Sequence, residues 1–234
     1  MRYIYDNDLH IHSKLSSCSN DPDQTAENIL RYAKSNGLNT ICLTDHFWDS
    51  TVVGASNWYQ PQNYEHIAAS LPLPQDEDIR FLFGCETELD RFLTLGVSKE
   101  TIARFDFVII PTTHFHMRGF TISNEEAADA QSRANAWIQR LDTVLNMDLP
   151  FHKIGLAHMT CPLIAPTREQ YLQVLELIPK KKMEQLFQNA ACLGIGIELN
   201  LSDMNFSDEE ADMPFTSTTN GMSGAIGSVV VEYS

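Results

Sequence analysis

The feature that most constrains this chain is a recurrence: one apolar run after another ends on residues able to ligate a metal ion. The first run finishes Asp8-Leu9-His10-Ile11-His12. Later runs finish on Thr44-Asp45-His46, Gly84-Cys85-Glu86-Thr87-Glu88, Thr113-His114-Phe115-His116, Ala157-His158 and Glu198-Leu199-Asn200. A strand points residues two apart to the same side, so the spacing of His10 and His12 predicts two imidazoles aimed at one point. Six of the eight histidines (10, 12, 46, 114, 116 and 158) fall at or near such run ends, leaving only His66 and His152 elsewhere. Parallel strands open their carboxyl ends on one side, where the connecting loops build a site, and this pattern puts every candidate ligand there.

Strand-like and helix-like segments alternate, the signature of an α/β fold with helical crossovers. The strands are read near 3–12, 40–44, 79–83, 105–110, 153–157 and 194–199. Helices are read near 25–35, where Thr25 caps and Gly37 terminates, and then at 125–147, 167–178 and 181–193. In the long helix, apolar residues at 134, 137, 138, 141, 144 and 145 form one stripe. Residues 47–78, with Trp48, Trp58, Tyr59 and Tyr64, are too long for an ordinary connection and are read as a lid over the mouth. The stretch 213–228 is rich in Ser, Thr and Gly and ends in the short apolar run 229–231.

At 234 residues and 43% hydrophobic, the chain can bury one core and is read as a single domain over 1–234. Sixteen Lys plus Arg against 31 Asp plus Glu give a formal charge of -15, which repels nucleic acid and anionic membranes unless bound cations offset it. Lys180-Lys181-Lys182 reads as the solvated start of a helix. Five scattered cysteines, 18, 42, 85, 161 and 192, lack C-x-x-C pairing and read as reduced thiols. No signal peptide or apolar span of membrane length is found, so a cytoplasmic protein is expected.

Imidazole mixed with carboxylate suits zinc, manganese or iron, and a carboxylate such as Glu86 can bridge two ions. Ions so placed hold phosphoryl oxygens and generate hydroxide near neutral pH, which favours ester hydrolysis at phosphorus. Asp8 and Asp45 read as carboxylates that orient imidazoles. Glu88 has the parity to face inward beside Glu86, with a loop salt bridge as the alternative. His116 and Arg118 are placed to grip a substrate phosphate, Arg118 through its bidentate fork. Asp45 and His116 are therefore the candidate catalytic residues and Arg118 the candidate substrate ligand. Glu198 and Asn200 either satisfy loop backbone or act directly, and Trp48, Trp58 and Tyr59 either cover the pocket or pack beneath the loop.

These residues resemble the PHP family, named for polymerase and histidinol phosphatase. Its D-x-H-x-H-[ST] motif reads Asp8-Leu-His-Ile-His-Ser13 here, its T/S-D-H strand end reads Thr44-Asp-His46, and G-x-E reads Gly84-Cys-Glu86. The run Asp106-Phe-Val-Ile-Ile110 leading to His114 supplies the fourth motif and Ala157-His158-Met159 the fifth. The resemblance covers about 1–205. It implies a distorted (β/α)7 barrel holding up to three divalent ions. One would be bound by His10, His12 and Glu86, and a second by Glu86, His114 and His158. A third would use His46 with Cys18, which stands where relatives often carry His or Asp; Asp21 or Asp23 is the alternative partner. The family's final G-[ST]-D-A-H-type motif does not follow Asn200, so the barrel is expected to be incomplete at its C-terminus, and the tail reads as a truncated or frame-shifted sequence would.

The resemblance implies a metal-dependent phosphoesterase acting on a small phosphomonoester, as histidinol phosphatase does, through a metal-bound hydroxide. The alternatives are phosphodiester or amide hydrolysis on the same scaffold, or an inactive metal-binding remnant lacking the last motif.

Overall fold

The structure, a computed structural model, describes residues 6–19, 21–159, 161–200 and 228–231. The six strands β1 (Asn7–Ile11), β2 (Thr40–Leu43), β3 (Arg80–Glu86), β4 (Phe107–Pro111), β5 (Ile154–Ala157) and β6 (Gly196–Asn200) run parallel in chain order, each bonded to the next. An unbroken sequential order excludes a doubly wound sheet, in which the order reverses at a switch point. A seventh strand, β7 (Ser228–Val231), pairs antiparallel with β6 and lies alongside β1. The sheet therefore curls into an incomplete, distorted (β/α) barrel, as the sequence implies. The tail reading over 213–227 lies outside the described residues.

Helices α1 (Ala26–Ser35), α2 (Tyr64–Ile67), α3 (Lys99–Ile102), α4 (Ala130–Leu145), α5 (Arg168–Leu177) and α6 (Lys180–Leu193) fill the crossovers. The starts of α1 to α5 follow from local capping: the side chains of Thr25, Asn63, Ser98, Asp129 and Thr167 each accept a first-turn N–H. The long helix begins at 130 rather than 125 because Asp129 takes the cap, while Ser123 and Glu126 close a separate turn on each other. Its expected stripe is buried at Ala134, Trp137, Leu141, Val144 and Leu145. Two arginines that the stripe does not contain are buried with it. Arg140 donates to the carbonyls of Leu89, Asp90, Thr112 and Thr121, and Arg133 to those of Ala127 and Ile164. Arg140 thus pins the loops that leave β3 and β4.

Two apolar clusters divide along the strands. The larger packs Ile41, Leu43, Phe83, Val108, Ile110 and Leu156 against the helices. The smaller, Leu9, Cys42, Phe107, Ile109 and Ala157 with Leu82, plugs the barrel interior. Space inside is short: a Cβ on Gly84 would lie 2.4 Å from the Phe107 carbonyl and 2.7 Å from Cys42 Sγ. Only glycine lets β3 approach β4 so closely one inward position below Glu86. Among the described residues no helix is long and apolar enough to cross a membrane.

Candidate metal centre

Each ligand-type side chain is delivered by the end of a strand. In β1, Asp8 pairs with Ile41 but Ile11 with Leu43, so the strand carries one extra residue between them. Leu9 accordingly joins the interior plug while Ile11 packs against the outer core. The convergence of His10 and His12 thus arises through a bulge, which re-aims side chains, rather than through simple alternation. Beyond β2, Glu86 N–H donates to the Asp45 carbonyl and Phe47 N–H to the Glu86 carbonyl, which carries the ladder out to His46.

Five imidazoles surround the fully buried Glu86 carboxylate. Oε2 lies 3.3 Å from His10 Nε2, 3.1 Å from His12 Nε2 and 3.0 Å from His46 Nδ1; Oε1 lies 3.4 Å from His158 Nε2 and 4.0 Å from His114 Nε2. Yet both Glu86 oxygens, His10 Nε2 and His158 Nδ1 are buried without a hydrogen-bond partner. Orphaned polar atoms at this density are costly, at about 1–3 kcal/mol each, unless something else binds them. Divalent cations satisfy nitrogen and carboxylate oxygen together. Four groups of donor atoms lie close enough to hold one: His10, His12 and Glu86; Glu86, His114 and His158; His12, Cys18 and His46; and His10, His158 and Glu198.

The second ring nitrogens of His10, His114 and His12 are held from behind. Glu198 Oε1 meets His10 Nδ1 at 2.8 Å and its Oε2 accepts His158 N–H at 2.8 Å, so one carboxylate links two strand ends. His158 adopts φ 59°, a left-handed conformation costing about 1–3 kcal/mol for a residue with a side chain. Thr113 Oγ1, donating to the His158 carbonyl, and Glu198 hold it there. Glu88 Oε2 lies 2.8 Å from His114 Nδ1 and accepts from the Tyr59 hydroxyl at 3.4 Å. Ser16 Oγ faces His12 Nδ1 at 3.2 Å, and the Tyr59 hydroxyl faces His46 Nδ1 at 3.3 Å.

Burial opposes charge on every one of these groups, and the neighbours decide the outcome. It would raise the Glu86 carboxyl, but His46, His10 and His12 hold it well below the usual range. Burial would lower His10, which the Glu198 and Glu86 carboxylates hold up at about 10. Glu198 is held down at about 2 by His10 and His158 against its own burial. For His46 burial wins and pulls it to about 3; His114, with His158 adding repulsion, also falls to about 3. Burial pushes Glu88 well above the carboxylate range, with Arg140 opposing. Burial would lower His158 too, but Cys161 and the Glu86 and Glu198 carboxylates hold it well above the usual range, so protons occupy His10 and His158 while His46 and His114 stay neutral.

The structure brings His10, His12, Cys18, His46, Glu86, His114 and His158 together. Exposed Cys18 belongs to the outer group with His12 and His46. Asp21 and Asp23 instead stand in the turn before α1, Asp21 accepting the Asp23 N–H, and belong to none of the four groups. The expected role of Asp8 and Asp45 needs correction. Asp45 accepts from the Ser13 N–H and hydroxyl, and Asp8 from the His10 backbone N–H, so they hold the β1 loop rather than an imidazole. Glu198, Glu88 and Ser16 do that work. Parity and strand-end position pointed to the two glutamates; Ser16 and the hydroxyl of Tyr59 carried no sequence signal.

A cavity of about 550 Å³ opens above Glu86, with His116, Arg118, Met117, Phe120, Trp58 and Leu163 among its lining. His116 and Arg118 stand exposed at its rim. The 47–78 segment is its wall rather than a lid: Trp48 and Tyr59 are buried, while Trp58, 39% exposed, sets its edge on His46 at 4.9 Å.

The PHP domain family model matches residues 8–202. No curated protein matches this sequence. Among solved structures, the chain is similar to a histidinol phosphate phosphatase from Lactococcus lactis subsp. lactis Il1403, complexed with zinc, L-histidinol and phosphate. The identity is 16%, with 97% of this chain and 99% of that chain covered, at a TM-score of 0.46. A likeness at that level identifies neither substrate nor metal.

Proposed function

We propose, from the premise that this chain belongs to the PHP domain family, that it is a metal-dependent phosphoesterase releasing phosphate from a small phosphomonoester. The observation that carries this reading is the buried Glu86 carboxylate, ringed by five imidazoles and left with both oxygens unpartnered. His10, His12 and Glu86 would hold one ion, and Glu86, His114 and His158 a second. His46 and Cys18 would contribute to a third; zinc, manganese or iron suits the imidazole and carboxylate donors of the first two. When bound, such ions supply Lewis acidity toward phosphoryl oxygens and lower the pKa of water.

The chain's own residues do the rest. Glu198 fixes His10 through Nδ1 and so presents Nε2 to the centre; Glu88 does the same for His114. Arg118 and His116, exposed at the cavity rim, would receive phosphate oxygens that project outward. Trp58, Leu163, Phe120 and Met117 form an apolar surround that keeps bulk water from the organic part of the ester. The whole of 1–234 is proposed as one domain, and a cytoplasmic setting with reduced thiols fits its use of cysteine.

The test is phosphate release from a small phosphomonoester by the full chain supplied with manganese or zinc. Activity in the parent, with at least about a hundredfold loss in the His10→Ala, His12→Ala double variant, supports the reading. A folded double variant with full activity refutes the centre. Turnover of nucleotide diesters but not monoesters would refute the monoester assignment.

A further inference from the structure

We infer that Cys18 is a thiolate ligand that makes the outer cation site select a thiophilic ion of the zinc class over manganese or magnesium. The inference deepens the metal-centre reading above and rests on it. Cys18 Sγ, one nitrogen of His12 and one of His46 lie within 4.8 Å of one another. The fully buried Glu86 carboxylate independently points to a ligand there. Its unpartnered Oε2 is 3.1 Å from His12 Nε2 and 3.0 Å from His46 Nδ1, the other two members of the group.

Ser16 arranges the three. Its Oγ accepts the His46 N–H at 3.1 Å, faces His12 Nδ1 at 3.2 Å and accepts from Cys18 Sγ at 3.6 Å. His12 Nδ1 is thereby engaged, so its Nε2 is the nitrogen left for a cation, and it can serve either this site or the one it shares with His10. Sulfur is the soft donor of the set. Thiolate favours zinc-class ions, whereas manganese and magnesium prefer oxygen, and the groups built on Glu86 without sulfur discriminate less strongly against manganese. On binding, Sγ gives up its proton to solvent and the ion takes the lone pair; no oxidant or reductant is involved.

The thiol is open to direct measurement. Cys18 and Cys192 are exposed, whereas Cys42, Cys85 and Cys161 are buried. Cys192 lies on α6, away from the cavity lining, so a Cys192→Ser chain presents Cys18 as the single exposed thiol. In that chain, stripped of metal, the disulfide reagent DTNB should modify one thiol rapidly. Zinc should slow the reaction by about tenfold or more, and manganese, bound in comparable amount by elemental analysis, should leave it unchanged. Cobalt should produce an intense near-ultraviolet sulfur-to-cobalt charge-transfer band that is absent from Cys18→Ser.

Bound zinc with no thiol protection, or cobalt bound without the band, overturns the thiolate assignment while leaving the Glu86 centre intact. Equal protection by manganese overturns the selectivity. Failure of zinc, manganese and cobalt alike to bind the folded chain overturns both the inference and the reading beneath it.

Discussion

The two oxygens of Glu86 face flanks built from different materials. On the Oε1 side, the His114 ring leans on Glu88 and the His158 backbone N–H on Glu198, both carboxyl groups buried, and Arg140 ties down the carbonyls of Leu89 and Asp90 just past Glu88. On the Oε2 side only His10 is backed by a carboxylate, Glu198; His12 leans on the Ser16 hydroxyl next to an exposed cysteine, and the Tyr59 hydroxyl shares His46 Nδ1 with Glu86. A carboxylate behind an imidazole fixes the ring and raises its basicity; a neutral hydroxyl fixes it with less effect on basicity. The inner flank should therefore keep its ion through dialysis that empties the outer one. The contrast separates a rigid pair of ligands, held by buried carboxyl groups, from an adjustable pair that reaches the cavity wall.

The largest effect tied to this contrast is on folding. Arg140→Met removes the donors from four loop carbonyls, and urea denaturation should show a loss of about 3 kcal/mol or more. A loss below about 1 kcal/mol would mean that the inner flank is not held by this guanidinium. Next comes affinity: Glu198→Gln should weaken zinc binding about 10–100-fold, whereas Ser16→Ala should cost less than about tenfold and affect only the more weakly held ion. Competitive chelator titration reads both, and the reverse ranking would refute the distinction between the flanks.

Protons compete with cations at His10, which the Glu198 and Glu86 carboxylates hold up at about 10 against its burial. Because the metal-free ring is protonated below that value, an ion entering there expels a proton, and affinity should rise with pH by up to about tenfold per unit through neutrality. On the inner flank His114, pulled down to about 3 by burial and by His158, adds no proton over that range, whereas His158, held well above its ordinary value against its burial by Cys161, Glu86 and Glu198, adds a second. Isothermal titration in buffers of different ionisation enthalpy counts the protons released; a count near zero would contradict the charge state argued for His10.

The smallest effect concerns the wall of the outer flank. Burial would raise the Asp49 carboxyl, but donors from Ser98, Thr101 and Thr51 hold it below its ordinary 3.8 and so tie the Trp58-bearing segment to α3. A depressed carboxyl stabilises the fold above its unfolded value and loses that contribution as the pH falls through the folded one. Asp49→Asn should cost about 1 kcal/mol at neutral pH and flatten the acid limb of the stability curve below about pH 4. An unchanged acid limb would show that Asp49 carries no such load.

Much of this was legible in the sequence because strand ends announce themselves twice, by an apolar run and by the polar residue that terminates it. Hence the six parallel strands, the delivery of His10, His46, Glu86, His114 and His158 to one mouth, and the incomplete barrel follow from periodicity and motif. Less accessible was anything set by tertiary contact. The β1 bulge is invisible to an alternation rule, which would place Leu9 and Ile11 on one face. Asp45 stands beside a ligand histidine in sequence yet turns to Ser13, because the loop's unpaired N–H lies nearer than any ring. The hydroxyl of Tyr59 reaches His46 across a loop whose path no local pattern encodes.

The central claim is that cations are shared across the strand ends through one carboxylate. Elemental analysis of the metal-loaded full chain after rapid desalting, brief enough to spare the outer ion, beside Glu86→Gln tests it most directly. The parent should retain more than one zinc or manganese ion per chain, and the variant, folded by circular dichroism, should lose them from both flanks together. Equal metal content in the two proteins, or a parent that holds none, would contradict the account.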